Sequence, residues 1–126
     1  MSNEPEPAEI EALMRANLHE VFGERDPQLR AVAIGRAYAE DIVFSDPGEV
    51  AIGRDAVAAK VQKLLDETPG FTFTEVGPVY VSNDLGTLAW SYGPQGQPPV
   101  VTGFDICLIR DGVIARLYTI LTPPKA

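Results

Sequence analysis

At 126 residues the chain has the length of one domain, enough to bury a single core and too short for a second. Ten basic residues against eighteen acidic ones give a net charge of −8, which opposes phosphate backbones and anionic bilayers, so neither nucleic acid nor membrane is an expected partner. One cysteine, Cys107, excludes an intrachain disulfide, a Cys-X-X-Cys pair and a cysteine-based zinc cluster; a reducing, cytoplasmic setting is expected, and no stretch reads as a secretory leader or membrane span.

Residues 1–7 are polar and proline-interrupted and read as a disordered arm, leaving 8–126 as the domain. From Ala8 to Gly23, Ile10, Leu13, Met14, Leu18 and Val21 recur at helical spacing and define an amphipathic first helix. Asp26-Pro27 is an N-cap followed by proline at the first helical position and opens a second helix through about Glu40. A short extended piece, Ile42 to Ser45, precedes a third helix from Asp55 to about Glu67, with Val57, Val61, Leu64 and Leu65 on one face. After Thr68-Pro69-Gly70 the period changes to two and the residues to Val, Ile, Thr and aromatics, which predicts strands at about 71–83, 86–93, 99–110 and 113–122. Asn83-Asp84 and Asp111-Gly112 are tight-turn signals, and Pro94 to Pro98 is a longer hairpin tip, so consecutive strands should pair antiparallel. Helices first and a strand meander afterwards is an α+β order with the helices on one face of a curved sheet.

Within the strand around Val101 to Ile109 both faces are apolar, so Asp105 should point into apolar surroundings, either ion-paired or with a raised pKa. Asp46, in Ser45-Asp46-Pro47-Gly48, is by its own chemistry only a turn residue. His19 falls about 180° from Ile10 on the first helix, on the solvated side, whereas Asn17 falls within the apolar stripe, where its amide needs a partner. Trp90 and Tyr92 share one strand face, and each brings a polar hydrogen that wants an acceptor when buried. With no phosphate-cradling glycine loop, histidine cluster or nucleophile elbow, neither cofactor nor metal is expected.

Three signatures in order, Tyr38 to Pro47, Gly53-Arg54-Asp55-Ala56-Val57, and Thr102-Gly103-Phe104-Asp105 leading to Asp111-Gly112-Val113-Ile114, resemble the nuclear transport factor 2-like superfamily in its SnoaL-like and ketosteroid-isomerase-like branch. The resemblance spans about residues 8 to 122 and implies a cone of three N-terminal helices packed on a curved, mostly antiparallel sheet. It sets Asp46 where ketosteroid isomerases hold a general base and Asp105 where they hold a protonated aspartic acid facing the oxyanion. Leu88, Trp90 and Tyr92 would wall the pocket, joined by Leu117, Thr119 and Leu121, with Tyr38 as a supporting tyrosine. The chain departs from those isomerases at Leu18, which stands in place of the oxyanion tyrosine and would add to the wall, and in a longer second helix. An epoxide-hydrolase triad would need an arginine facing the acid, whereas Arg110 is an odd number of residues from Asp105.

The expected function is therefore proton abstraction alpha to the carbonyl of a hydrophobic small molecule, giving isomerisation, cyclisation or dehydration, with Asp46 as base and Asp105, aided by Tyr92, facing the enolate. A non-catalytic binder or dimerisation module of the same fold is the alternative. Tyr118 and Ile120 alternate with the pocket set and would face outward, an apolar surface that a homodimer would cover.

Overall fold

The computed structural model describes residues 5–123. Of the arm expected over residues 1–7, residues 1–4 lie outside the described residues, and helix α1 already starts at Pro7 and runs to Ala16. Proline fits there because a first-turn N–H has no helical partner to lose. The helix continues into a π turn, Asn17–Phe22, closed by the Gly23 N–H on the Leu18 carbonyl at 2.8 Å. That wider turn keeps Asn17, Leu18 and Val21 buried together. Helix α2, Pro27–Ala37, opens on Asp26, whose side chain accepts from the Gln28 and Leu29 N–H groups; helix α3 is Arg54–Glu67.

The described residues form six strands: β1 Tyr38–Ser45, β2 Val50–Ile52, β3 Phe71–Ser82, β4 Leu85–Pro94, β5 Val101–Arg110 and β6 Val113–Thr122. Their order across one sheet is β2-β1-β6-β5-β4-β3, antiparallel throughout except for the parallel pair β1 and β6. One sequence expectation is corrected and one element is added. The second helix ends at Ala37 rather than near Glu40, because Tyr38 already pairs with Ile114 and the β1–β6 ladder outweighs the helical preference of Ala39-Glu40. The three-residue strand β2 lies in a stretch that carried no strand pattern and forms by pairing with β1.

Register breaks between Val76 and Tyr80 and between Leu108 and Ile109 bend the sheet around the helices. The concave face carries Leu88, Cys107, Ile109 and Leu117, each at most 4% exposed, packed on Ile10, Met14, Leu18 and Val21. Each such side chain contributes about 1.5–3 kcal/mol by leaving water. Gly86 allows the approach of α1: a Cβ there would stand 2.5 Å from Ile10 Cγ2.

Candidate active site

Asp105 lies mid-strand on β5, opposite Leu88 of β4 and Thr119 of β6, with 5% of its surface exposed. Alternation turns it to the helix side, and three donors meet it there. Trp90 Nε1–H donates to Oδ1 at 3.1 Å and Thr119 Oγ1–H donates to the same oxygen at 2.8 Å, while Asn17 Nδ2–H donates to Oδ2 at 3.3 Å. Gly103 makes the Trp90 contact possible: a Cβ there would meet the Ile120 carbonyl at 2.5 Å and the indole ring at 2.9 Å. Among the described residues no cation pairs with Asp105. Burial raises its pKa from 3.8 to about 6, opposed by the Thr119 and Trp90 hydrogen bonds.

Behind it, Asn17 Oδ1 accepts from the Tyr38 hydroxyl, and both residues are fully buried. Desolvation, with Cys107 and Asp105 nearby, pushes the Tyr38 phenol well above its ordinary range, so it stays protonated and donates.

Asp105 and Thr119 border a cavity of about 380 Å³. Its walls are Leu18, Phe22, Phe44, Phe73, Trp90 and Tyr92. Phe73 stacks on Tyr92 with centroids 4.0 Å apart and meets Trp90 edge-on at 5.4 Å, while Phe22 meets Phe44 edge-on at 5.5 Å. Such pairs hold the rings in fixed orientations, each worth about 0.5–1.5 kcal/mol beyond burial. Toward solvent the lining turns charged, with Asp46, Glu49, Lys60, Lys63 and Glu67.

Of the residues singled out in the sequence, Asp46, Asp105, Leu18, Trp90, Tyr92, Thr119 and Leu121 border this cavity. Tyr38, Leu88 and Leu117 do not: they pack in the core behind it, Tyr38 reaching Asp105 only through Asn17. His19 is half exposed and bonds Glu75 at 2.7 Å, and Arg110 faces away to pair with Asp41.

Asp46, which the resemblance sets at the general-base position, has partners on both carboxylate oxygens. Its Oδ1 accepts from the Gly48 and Glu49 N–H groups at 2.8 and 3.0 Å, and Lys60 Nζ lies 2.7 Å from Oδ2. Partial burial would raise its pKa, but Lys60 and the two backbone donors outweigh that and hold it below the usual carboxylate value. Tyr92 is likewise committed. The Thr68 hydroxyl donates to the Leu64 carbonyl at 2.7 Å, so the Tyr92 O–H, 2.5 Å from Thr68 Oγ1, must be the donor in that pair and has no hydrogen left for an enolate.

Lys60 is one of the cavity residues that the sequence reading passed over, with Phe22, Phe44, Phe73 and Thr68 among the others. It lies three residues after Val57 and four before Leu64, at the edge of the apolar stripe of α3, and that position was its signal. Its ammonium carries three donors, of which Asp46 and Glu49, at 2.7 and 2.8 Å, take two. No group of three His, Cys, Asp or Glu among the described residues stands close enough to hold a metal, and no described helix is long and apolar enough to cross a membrane.

A curved sheet closed by three helices around an acid-bearing apolar cavity defines the α+β cone class. Residues 15–117 match the SnoaL-like domain family, and the chain belongs to it. The fold is similar to that of a provisionally assigned isomerase of the SnoaL-like family from Agrobacterium tumefaciens strain C58, at 20% identity and a TM-score of 0.85 over 92% of this chain and 99% of that one. It is similar also to a provisionally assigned ketosteroid isomerase from Kribbella flavida, at 19% identity and a TM-score of 0.72 over 94% and 82% of the two chains. An LEH-like epoxide hydrolase from M. tuberculosis matches at 16% identity and 0.69 over 94% and 86%. At these identities the likeness establishes the fold alone. No curated protein matches the chain in sequence.

Proposed function

We propose that this chain is an enzyme that removes a proton alpha to the carbonyl of a neutral, hydrophobic small molecule, with Asp105 as the general base. The observation that carries this reading is a buried carboxylate, with no cationic partner among the described residues, bordering an apolar cavity, where burial raises its pKa to about 6. A base works best with a pKa near the working pH, ionised yet still proton-hungry. Oδ1 already accepts two hydrogen bonds and Oδ2 only one, so the open lone pair of Oδ2 takes the proton. Its return to another carbon completes an isomerisation, while attack of the enolate on a second carbonyl or loss of a β-hydroxyl gives cyclisation or dehydration.

The division of labour thus differs from the one the resemblance implies. Lys60, with one N–H not taken by carboxylates, is the group suited to the developing enolate oxygen, and Asp46 holds that ammonium in place. Two copies would pair through the outer sheet face, covering Phe104, Ile106 and Tyr118. The alternative, a binder without turnover, draws support from the closed Asp46–Lys60 pair and the committed Tyr92 hydroxyl. Deuterium exchange into a panel of hydrophobic ketones and enones separates the two: a compound that binds and exchanges supports the enzyme, and binding without exchange across the panel supports the binder.

A further inference from the structure

Tyr38 neither borders the cavity nor hydrogen-bonds Asp105, yet a single buried residue joins them. A side-chain amide presents an acceptor on one side and donors on the other, and a half-turn exchanges them within nearly the same volume. Its neighbours decide which orientation holds. With Asn17 as it stands, the Tyr38 O–H meets Oδ1 and Nδ2–H meets the carboxylate. Turned over, the amide would lay its oxygen against Asp105 Oδ2, acceptor against acceptor, and would take from the buried Tyr38 hydrogen the oxygen it now meets, the phenol being left to accept an N–H instead. The carboxylate therefore sets the polarity of the amide, and the phenol secures it by giving the amide oxygen a donor.

We propose that Tyr38 and Asn17 are a positioning pair that sets the basicity of Asp105 from outside the cavity, Tyr38 by securing the amide and Asn17 by presenting an N–H to Oδ2. Asn17 alone of the three donors reaches the oxygen that takes the proton, so it opposes proton uptake there directly. The titratable groups packed around Asp105 are Tyr38 of β1 and Cys107 of β5 itself, both kept neutral by burial. The charged groups of the cavity are Asp46 and Glu49 from the β1–β2 turn and Lys60, Lys63 and Glu67 from α3, none of them bonded to Asp105. The consequence for catalysis rests on Asp105 being the base; the effect on its titration does not.

The test is carbon-detected carboxyl titration of Asp105 in the wild type, Tyr38→Phe, Asn17→Leu and the double variant, with Asp105→Asn used to assign the resonance. Asn17→Leu should raise the Asp105 pKa by about one unit, since it removes a hydrogen bond to the charged form. Tyr38→Phe, nearly isosteric and removing no direct hydrogen bond to Asp105, should raise it by about half as much, and the double variant should go no further than Asn17→Leu. Should Asn17→Leu fail to fold, Asn17→Ser, too short to span both partners, takes its place with the same expected direction. An unchanged Asp105 titration in Tyr38→Phe, or shifts that add in the double variant, would overturn the pair. If the titrations behave as expected and no carbonyl compound exchanges, the pair stands and the catalytic reading fails. If exchange occurs and Tyr38→Phe leaves the titration unmoved, the pair fails and the catalytic reading stands.

Discussion

Trp90 and Asp105 stand on neighbouring strands, and the indole N–H reaches the carboxylate Oδ1 at 3.1 Å. The chain's sole tryptophan is thereby committed to a buried carboxyl group, and both border the same cavity. The pair sets the terms of the site: an acid in an apolar wall, satisfied by donors that carry no charge.

Asp105 should make stability depend on pH in a direction opposite to ordinary salt-bridged carboxylates. Its folded pKa lies above the unfolded one, so the fold loses stability as pH rises through the interval from 3.8 to about 6. At about 1.4 kcal/mol per pH unit, that rise costs about 3 kcal/mol at neutral pH. The difference in unfolding free energy between Asp105→Asn and wild type should therefore move in the variant's favour by about 2–2.5 kcal/mol between pH 4 and pH 7 in urea titrations. A difference that stays flat across that range would mean Asp105 is not desolvated.

Tyr92→Phe tests the commitment of that hydroxyl to α3. It should lower stability by about 0.5–1.5 kcal/mol, the usual net value of a hydrogen bond, and leave the exchange rate within about threefold. A hundredfold loss of rate with stability intact would instead give the phenol a role at the enolate.

Lys60→Met should release Asp46 toward the usual carboxylate range, since the ion pair and backbone bonds keep it low, and should leave the Asp105 titration in place. If the ammonium faces the enolate, turnover falls by about 10²-fold with substrate binding little changed. Turnover at the wild-type rate would remove Lys60 from the mechanism.

How far the site could be read from the chain follows from how local each part is. The turns at Asn83, with φ 52°, and at Asp111-Gly112, with φ 54° and 79°, announce themselves because few residues accept those angles, and they fixed the meander from β3 to β6. The parallel pairing of Tyr38 with Ile114 has no local signal, and it was there that the second helix was drawn too long. Asn17 was visible as an amide in an apolar stripe, but its partner Asp105 lies 88 residues away. The partner of Asp46 was not legible because Lys60 stands on α3, 14 residues further on, at the edge of the apolar stripe of that helix.

The outer face of the sheet carries Phe104, Ile106 and Leu108 of β5 beside Tyr118 and Ile120 of β6, with Ile120 41% exposed. Light scattering at micromolar concentration should give twice the chain mass, and Ile106→Lys should halve it by setting a charge in the apolar contact. A wild type of single-chain mass would contradict pairing through this face.

The account stands most directly on one comparison, the rate of deuterium exchange alpha to the carbonyl of a bound hydrophobic ketone in the wild type, Asp105→Asn and Asp46→Asn between pH 4 and pH 8. The rate in the wild type should rise with pH through about 6, where Asp105 ionises. It should fall by about 10²- to 10⁴-fold in Asp105→Asn and by less than about tenfold in Asp46→Asn. Exchange at the wild-type rate in Asp105→Asn, or a loss confined to Asp46→Asn, would contradict the assignment of Asp105 as the base.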